Sequence, residues 1–600
     1  MSQTSRDPGP TRDVNTDRHQ VDRRTLIRGA AATGAGMASL AIFGGVGAFP
    51  SPASVRTKAF AQAGAALPAD AAPAEQQLWR QASDPTFAKV LDFYEAVYER
   101  PAVADLSSEP LVRLDKNFQI IPAAATEWSG SEDGKTWTYQ LDPDLMWSDG
   151  NPVTAADWVR TFQYSADPAH AWDFTWFWSP VIVNYAAAVA GEVPVAEIGV
   201  RQGANVNELV FETVDPAPYL PSMLLYSAPL SAAALDSTGP LYNTNPETAV
   251  SSGPFILEEW ARDQYLRYRR NEAYSGKLDI PMQHVTVKFA APTTNFTLYE
   301  ADEIDFMENP APAELQIIQG DPELSEQLYQ GVGDFRVDYL FFDVTKAPFD
   351  NLLVRQAFSH AIDRDAIKQQ ILGPLGNPAF SFLAPGFPAS NMDALAGVQA
   401  FDPDLAKRLL AEAGYPDGEG FPDQELWLRA PTPVESAVGG AVGAMLTQHL
   451  NINVEIGPRD QKTFTDALNA KPTEIPLGFV SYGMDYLDPS NMLGVWLSGG
   501  RHSWTNESFD SGVQEATIFL GDEAERIAMF QAAERILVED VPAVFIHYRT
   551  PVQLVKPYVA GDALVADDNG IAAIHWPGFS TGSTVPSGLY ITQEAPADRS

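Results

Sequence analysis

One uncharged stretch constrains most of what this chain can become. No charged side chain occurs between Gly29 and Val55, and the stretch is rich in Ala and Gly. Arg23-Arg24 stands just before it, and Ala59-Phe60-Ala61 follows as a small-x-small pattern. Basic residues, a weakly apolar run and then small residues form a signal-peptide layout, and the arginine pair points to the twin-arginine route. Cleavage would start the mature chain near Gln62. The alternative is a retained anchor, for which the segment is long enough but poor in Leu, Ile and Val. Residues 1 to about 20 are polar and without periodicity, which predicts disorder there. No second uncharged stretch of spanning length follows, so the rest of the chain is expected to fold in water. At 600 residues in all, it is too long for one hydrophobic core and predicts two or three lobes.

Charge narrows the partners. The formal net charge is -39, with 39 Lys and Arg against 78 Asp and Glu. Such a surface repels nucleic acid and anionic lipid. Cysteine is absent, which removes disulfides, thiolate metal sites, cysteine nucleophiles and a lipid-bearing cysteine together.

Local patterns predict strands and capped helices in alternation. After the turn at Asp133-Gly134, Trp137, Tyr139 and Leu141 alternate toward one face. Thr154 to Asp157 reads as the capped start of a helix, and residues 208–214 as a short strand. Val354, Ala357, Phe358, Ala361 and Ile362 share a helical face, while Asp402-Pro403 opens another helix that Gly414 stops. Val438 to Leu450 reads as helical, followed by a strand in which Ile452, Val454 and Ile456 alternate. Asp522 caps a helix carrying Ile527, Phe530, Ala533 and Leu537. The mixture predicts an α/β chain in several lobes.

No catalytic signature stands out. The chain has no HExxH, no Gly-x-Ser-x-Gly elbow, no phosphate loop and no dinucleotide loop. Its histidines are scattered singly, so no cofactor and no metal is expected, and His360 reads as a packed residue. Trp172, Trp176 and Trp178 cluster in AWDFTWFWSP; such a group fills a core or lines a cleft, and core is expected for most of them.

In order, the segments IPAAATEW, SEDGKTWTYQL, WSDGNPVTAADWV, SSGPFILEEW, RRNEAYSG, APFDNLLVRQAFSHAIDR, FDPDLAKRLLAEAGY and DYLDP form a recognisable series. It resembles the extracellular solute-binding proteins of family 5, which serve peptide, dipeptide and nickel ABC importers. Residues 198–200 and LVKPYVAG at 554–561 look most like the oligopeptide-binding branch. The resemblance implies a two-lobed periplasmic-binding-protein-like α/β fold of class II, in the large cluster, with an extra domain and a hinged ligand cleft. After residues 1–61, lobe I would combine residues 62–105, 198–289 and 548–600. The extra domain would span residues 106–197 and lobe II residues 290–547. It further implies a monomeric, non-enzymatic receptor, periplasmic or on the cell surface. That receptor would deliver an oligopeptide to the membrane subunits of an importer.

The same resemblance assigns site residues. In similar oligopeptide binders an Asp directly after a cleft strand pairs with the ligand's amino group, because an unpaired buried charge is costly. The matching position is Asp485 in FVSYGMDYLDPSNM, with Phe479, Ser481 and Tyr482 on the expected cleft strand. The structural alternative makes Asp485 part of a turn cap with Asp488 and Pro489. Peptide binders often carry arginines on or before that strand, but PLGFVS has none; Arg501, His502 and Trp504 in SGGRHSW are the candidates to compensate. A sugar or another amine-bearing solute is a rival ligand. A hydrolase on this fold and a purely structural surface protein are rival readings of other classes.

Overall fold

Turn chemistry, caps and alternation place the first sheet. The structure is a computed structural model that describes residues 67–565 and 585–599, apart from residues 102, 116, 331 and 332. The export segment, with Arg23, Arg24 and the Ala59-Phe60-Ala61 pattern, lies outside the described residues. Strand Thr136–Leu141 buries Trp137, Tyr139 and Leu141 and turns Thr136, Thr138 and Gln140 toward solvent. It pairs antiparallel with Ala125–Gly130 and Glu208–Glu212, and the latter with Val200–Gln202. Helix Ala155–Ser165 lies beside it. The N–H of Thr154 donates to the Asp157 carboxylate at 2.9 Å, a cap typically worth about 1 kcal/mol. Phe162 then meets Phe211 of the sheet edge to face at 5.4 Å. Trp172 and Trp178 are buried as expected, but Trp176 is 50% exposed.

A second sheet joins distant chain. Leu78–Ser83 runs parallel to His284–Phe289, which pairs antiparallel with Tyr265–Arg270 and that in turn with Phe255–Ala261. Trp79, Leu257, Tyr268 and Val287 pack with Val555, Leu589 and Ile591, so the core needs residues from both ends of the chain. Asp305 bonds the pieces polarly. Its buried carboxylate accepts from Arg80 at 2.8 Å, Tyr558 at 2.9 Å and Arg599 at 2.6 Å. Removing one partner of such a buried ionic group costs about 3–5 kcal/mol.

The third sheet has six strands in the order Gly376–Pro378, Ala543–Arg549, Val337–Phe342, Leu477–Tyr482, Gln424–Arg429 and Val454–Arg459. Helices Leu352–His360, Pro403–Glu412 and Pro433–Leu450 supply Val354, Phe358, Leu410, Val442 and Leu446 to its core. Asp402 caps the second by accepting from the Leu405 N–H at 2.8 Å, and Asp522 caps helix Glu523–Asp540. His360 is packed, its Nδ1 bonded to the Ala400 carbonyl at 2.6 Å. The expected alternation after Leu450 differs: Ile452 is buried, but Ile456 is 38% exposed. Val454–Arg459 is an edge strand, so only part of its apolar set finds cover.

Between the second and third sheets lies a small one, Phe306–Glu308, Val552–Val555 and Leu328–Gln330. Val552 follows the end of the six-stranded sheet's strand Ala543–Arg549 after two residues. Away from these strands the halves touch through rings. Phe118 meets Phe335 at 4.6 Å, and Tyr486 stacks on Tyr219 at 5.6 Å and meets Phe177 at 5.9 Å.

Candidate ligand cleft

The cleft's floor begins with a glycine. Strand Leu477–Tyr482 is central in its sheet, and a Cβ on Gly478 would sit 2.4 Å from the Phe341 ring. Only a residue without a side chain lets that ring pack. Leu477 and Phe479 turn toward the helices and join the core. The strand's far end carries Ser481 and Tyr482 toward the rings that meet across the halves.

Asp485 sits three residues beyond Tyr482, half-buried. Its carboxylate accepts from the Tyr482 hydroxyl at 2.7 Å and from Asn491 Nδ2 at 3.2 Å, and its own N–H donates to Asn491 Oδ1 at 2.8 Å. It does not cap the following helix. Asp488 does, accepting from the Ser490 N–H at 3.0 Å and binding the Arg526 guanidinium at 2.8 and 3.0 Å. Burial pushes the Asp485 carboxyl above its ordinary range, against the hydrogen bonds of Tyr482 and Asn491. A carboxylate so placed gains from a cation brought beside it.

Four arginines gather near the same strand. Arg336 is paired with Asp334 and donates to Ser481 Oγ at 3.3 Å. Arg549 holds Asp338 at 2.6 and 2.8 Å and also pairs with Glu435. Those two cations are matched by anions. Arg501 and Arg429 form no ion pair with a described residue, although Asp485 acts on the first and Glu435 on the second from farther off. Arg501 lies over the Tyr482 ring at 4.9 Å, and its buried Nη1 has no hydrogen-bond partner. Arg429 ends strand Gln424–Arg429, whose Leu428 is in register with Phe479. Burial, reinforced by the Arg501 charge, lowers the pKa of Arg429. The site therefore sets a half-buried carboxylate near guanidinium groups of which two, Arg501 and Arg429, form no ion pair with a described residue, a complement to a ligand with both an ammonium and a carboxylate.

The structure brings Asp485, Tyr482, Ser481 and Arg501 together and sets the other expected residues apart. Phe479 is in the helix-covered core. His502 is buried, stacked on Trp496 at 4.0 Å with its Nε2 3.0 Å from the Tyr339 hydroxyl. Trp504 is buried and donates to the Asp540 carboxylate. All three rings are buried against neighbours other than Asp485. Sequence reasoning missed Arg336, Arg429, Asn491 and the tyrosines Tyr98 and Tyr226, whose charges or rings act on this site. Only Asn491 lay near enough in sequence to be found.

Among the described residues no group of three or more His, Asp or Glu side chains is placed to hold a metal ion.

Known proteins match this architecture. The family model described as bacterial extracellular solute-binding proteins, family 5 Middle, matches residues 119–504. The probable deoxycholate-binding periplasmic protein YgiS of Escherichia coli is 30% identical over 76% of this chain and 84% of its own length. The periplasmic oligopeptide-binding protein OppA of the same organism is 27% identical over 76% of this chain and 83% of its own. The Haemophilus influenzae OppA complex with RPPGFSPFR superposes with a TM-score of 0.67 at 24% identity, covering 86% of this chain and 99% of that one. With a family match spanning more than half its length and a 30% identical relative covered over most of its own, this chain belongs to the bacterial extracellular solute-binding proteins of family 5.

Proposed function

We propose that this chain is the exported receptor of an ABC importer, capturing an oligopeptide between its lobes and releasing it unchanged to the membrane subunits. Asp485 takes the ligand ammonium, with Tyr482 and Asn491 holding the carboxylate in place. Arg501 and Arg429 receive the carboxylate end, and the strand's end from Val480 to Tyr482, beyond its pairing with Gln424–Arg429, offers main-chain partners in the manner of strand addition. The observation that carries the reading is the neighbourhood of a half-buried carboxylate, Asp485, and two guanidinium groups, Arg501 and Arg429, that form no ion pair with a described residue. An apolar anion such as deoxycholate, named for the relative YgiS, would place its charge against Asp485 unless it lay wholly toward the arginines.

The lobes are assigned by the same reading. Lobe I takes the sheet of Leu78–Ser83 and its C-terminal partners, the extra domain strands Ala125–Gly130 and Thr136–Leu141, and lobe II the six-stranded sheet. The segments around Val552–Val555 and 290–336 serve as the hinge, and closure buries the ligand. The receptor acts as a monomer in the periplasm or at the cell surface, reached by the twin-arginine route through Arg23-Arg24. Native mass spectrometry of protein purified from its own host tests the ligand class. Co-purified masses that fragment as peptides are expected; a bound sugar or bile acid in their place would overturn the peptide assignment.

A further inference from the structure

Two large rings at this cleft are left half in water. Tyr98 is 57% exposed and Trp176 50%, whereas nearly every neighbouring ring is buried. They are not loosely placed. The Asp173 carboxylate accepts the N–H groups of Val97 and Tyr98 at 2.9 and 3.0 Å, which ties the Tyr98 loop to the tryptophan-rich segment. Phe174, itself buried, meets Trp176 edge to face at 4.7 Å and Tyr98 at 6.1 Å. Both rings pack on Phe174, so the two form one shelf.

The shelf's position gives it a use. The charges of Asp485 and Arg501 both act on the Tyr98 hydroxyl. Phe177, next to Trp176, touches Tyr486, the residue after Asp485. Tyr98 and Trp176 therefore stand, with exposed faces, near the segment that carries Asp485. Holding two aromatic faces toward water is unfavourable unless something apolar covers them, and planar or bulky apolar groups cover them best.

We infer that Tyr98 and Trp176 select the side chain of the ligand residue that bears the ammonium, favouring an aromatic or large aliphatic group there. This rests on the peptide reading above and adds to it a preference at one position. The occupant follows from continuity with Asp485: whatever residue places its ammonium on that carboxylate has its own side chain next to the shelf. Polar and small first residues would leave both rings wet.

Calorimetry with the tripeptides Phe-Ala-Ala, Leu-Ala-Ala, Ala-Ala-Ala and Gly-Ala-Ala tests this. Phe-Ala-Ala and Leu-Ala-Ala are expected to bind about ten- to a hundredfold more tightly than Gly-Ala-Ala, the range that burial of one such side chain supplies. In Trp176→Ala and Tyr98→Ala the ratio of Phe-Ala-Ala to Ala-Ala-Ala affinities should collapse toward one, and Trp176→Phe should restore part of it. Both rings are on the surface, so loss of folding is not the expected result, and circular dichroism of each variant checks it. Equal affinities across the four peptides would overturn the inference and leave the peptide reading intact. A ratio unchanged in the Trp176→Ala, Tyr98→Ala double variant would do the same. Failure of all four, and of longer peptides, to bind the native protein would overturn the peptide reading and the inference with it.

Discussion

Replacing Glu534 with Gln is expected to remove a large part of this protein's pH-dependent stability. Glu534 lies on helix Glu523–Asp540 and is fully buried. One carboxyl oxygen accepts the Leu383 N–H at 2.8 Å; the other is buried with no partner. Burial therefore pushes its pKa up from 4.5 to about 7. The folded state holds the proton more tightly than the unfolded chain, so the stabilisation is complete below the unfolded pKa and is lost as pH rises through the folded one. A rise from 4.5 to about 7 corresponds to roughly 3 kcal/mol. Gln cannot titrate, yet its carbonyl oxygen can accept the same N–H. Guanidinium unfolding of the native protein and Glu534→Gln at pH 5 and pH 8 provides the test. The stability gap should shift by roughly 2.5 kcal/mol in favour of the variant between those two values, because the unfolded carboxyl is already partly ionised at pH 5. The repulsion arising from the net charge is nearly common to both proteins and drops out of the difference. Asp92, also raised to about 7 by burial, keeps a residual slope in the variant. Parallel curves for the two proteins would refute the reasoning, because they would mean that Glu534 titrates alike folded and unfolded.

Other expectations follow from the same structure. Changing Arg23 and Arg24 to Lys should hold precursor inside the cell, as judged by fractionation; normal export of that variant would exclude the twin-arginine route. Asp488→Asn leaves the buried Arg526 guanidinium without its anion and should cost about 3–5 kcal/mol in chemical denaturation, far more than Asp485→Asn. A loss under 1 kcal/mol would show that Arg526 finds another partner. Small-angle scattering should report a smaller radius of gyration when a bound peptide is added to stripped protein. An unchanged profile at proven saturation would rule out hinge closure.

What the sequence disclosed was local. Asp402 and Asp522 were legible as caps because a short side chain before a helix satisfies N–H groups two or three residues on. Trp137, Tyr139 and Leu141 were legible because a half-buried strand must alternate. Pairings across long separations were not, such as Leu78 with His284, since no local pattern encodes a partner. Ile456 misled because an edge strand can keep an apolar residue in partial contact with solvent. The site divided likewise. Asp485 was found through its place after a cleft strand. Arg429 sits on a neighbouring parallel strand, and nothing in its own segment marks it as lacking an anion. His502 and Trp504 were close to Arg501 in sequence, but their rings were claimed by Trp496, Tyr339 and Asp540.

The pairing of Asp485 with a ligand ammonium is the centre of the functional account, and a four-way calorimetric cycle measures it. The native protein and Asp485→Asn are each titrated with one peptide in free-amine and N-acetylated form. Asn keeps the shape and the capacity to bond Tyr482 and Asn491 while deleting the charge. The free peptide is expected to lose roughly 2–5 kcal/mol on the substitution, the range for breaking a desolvated charge pair. The acetylated peptide should bind the native protein weakly and lose far less, so the coupling term isolates the pair. Equal losses for the two peptides would contradict the account and assign Asp485 a structural role alone.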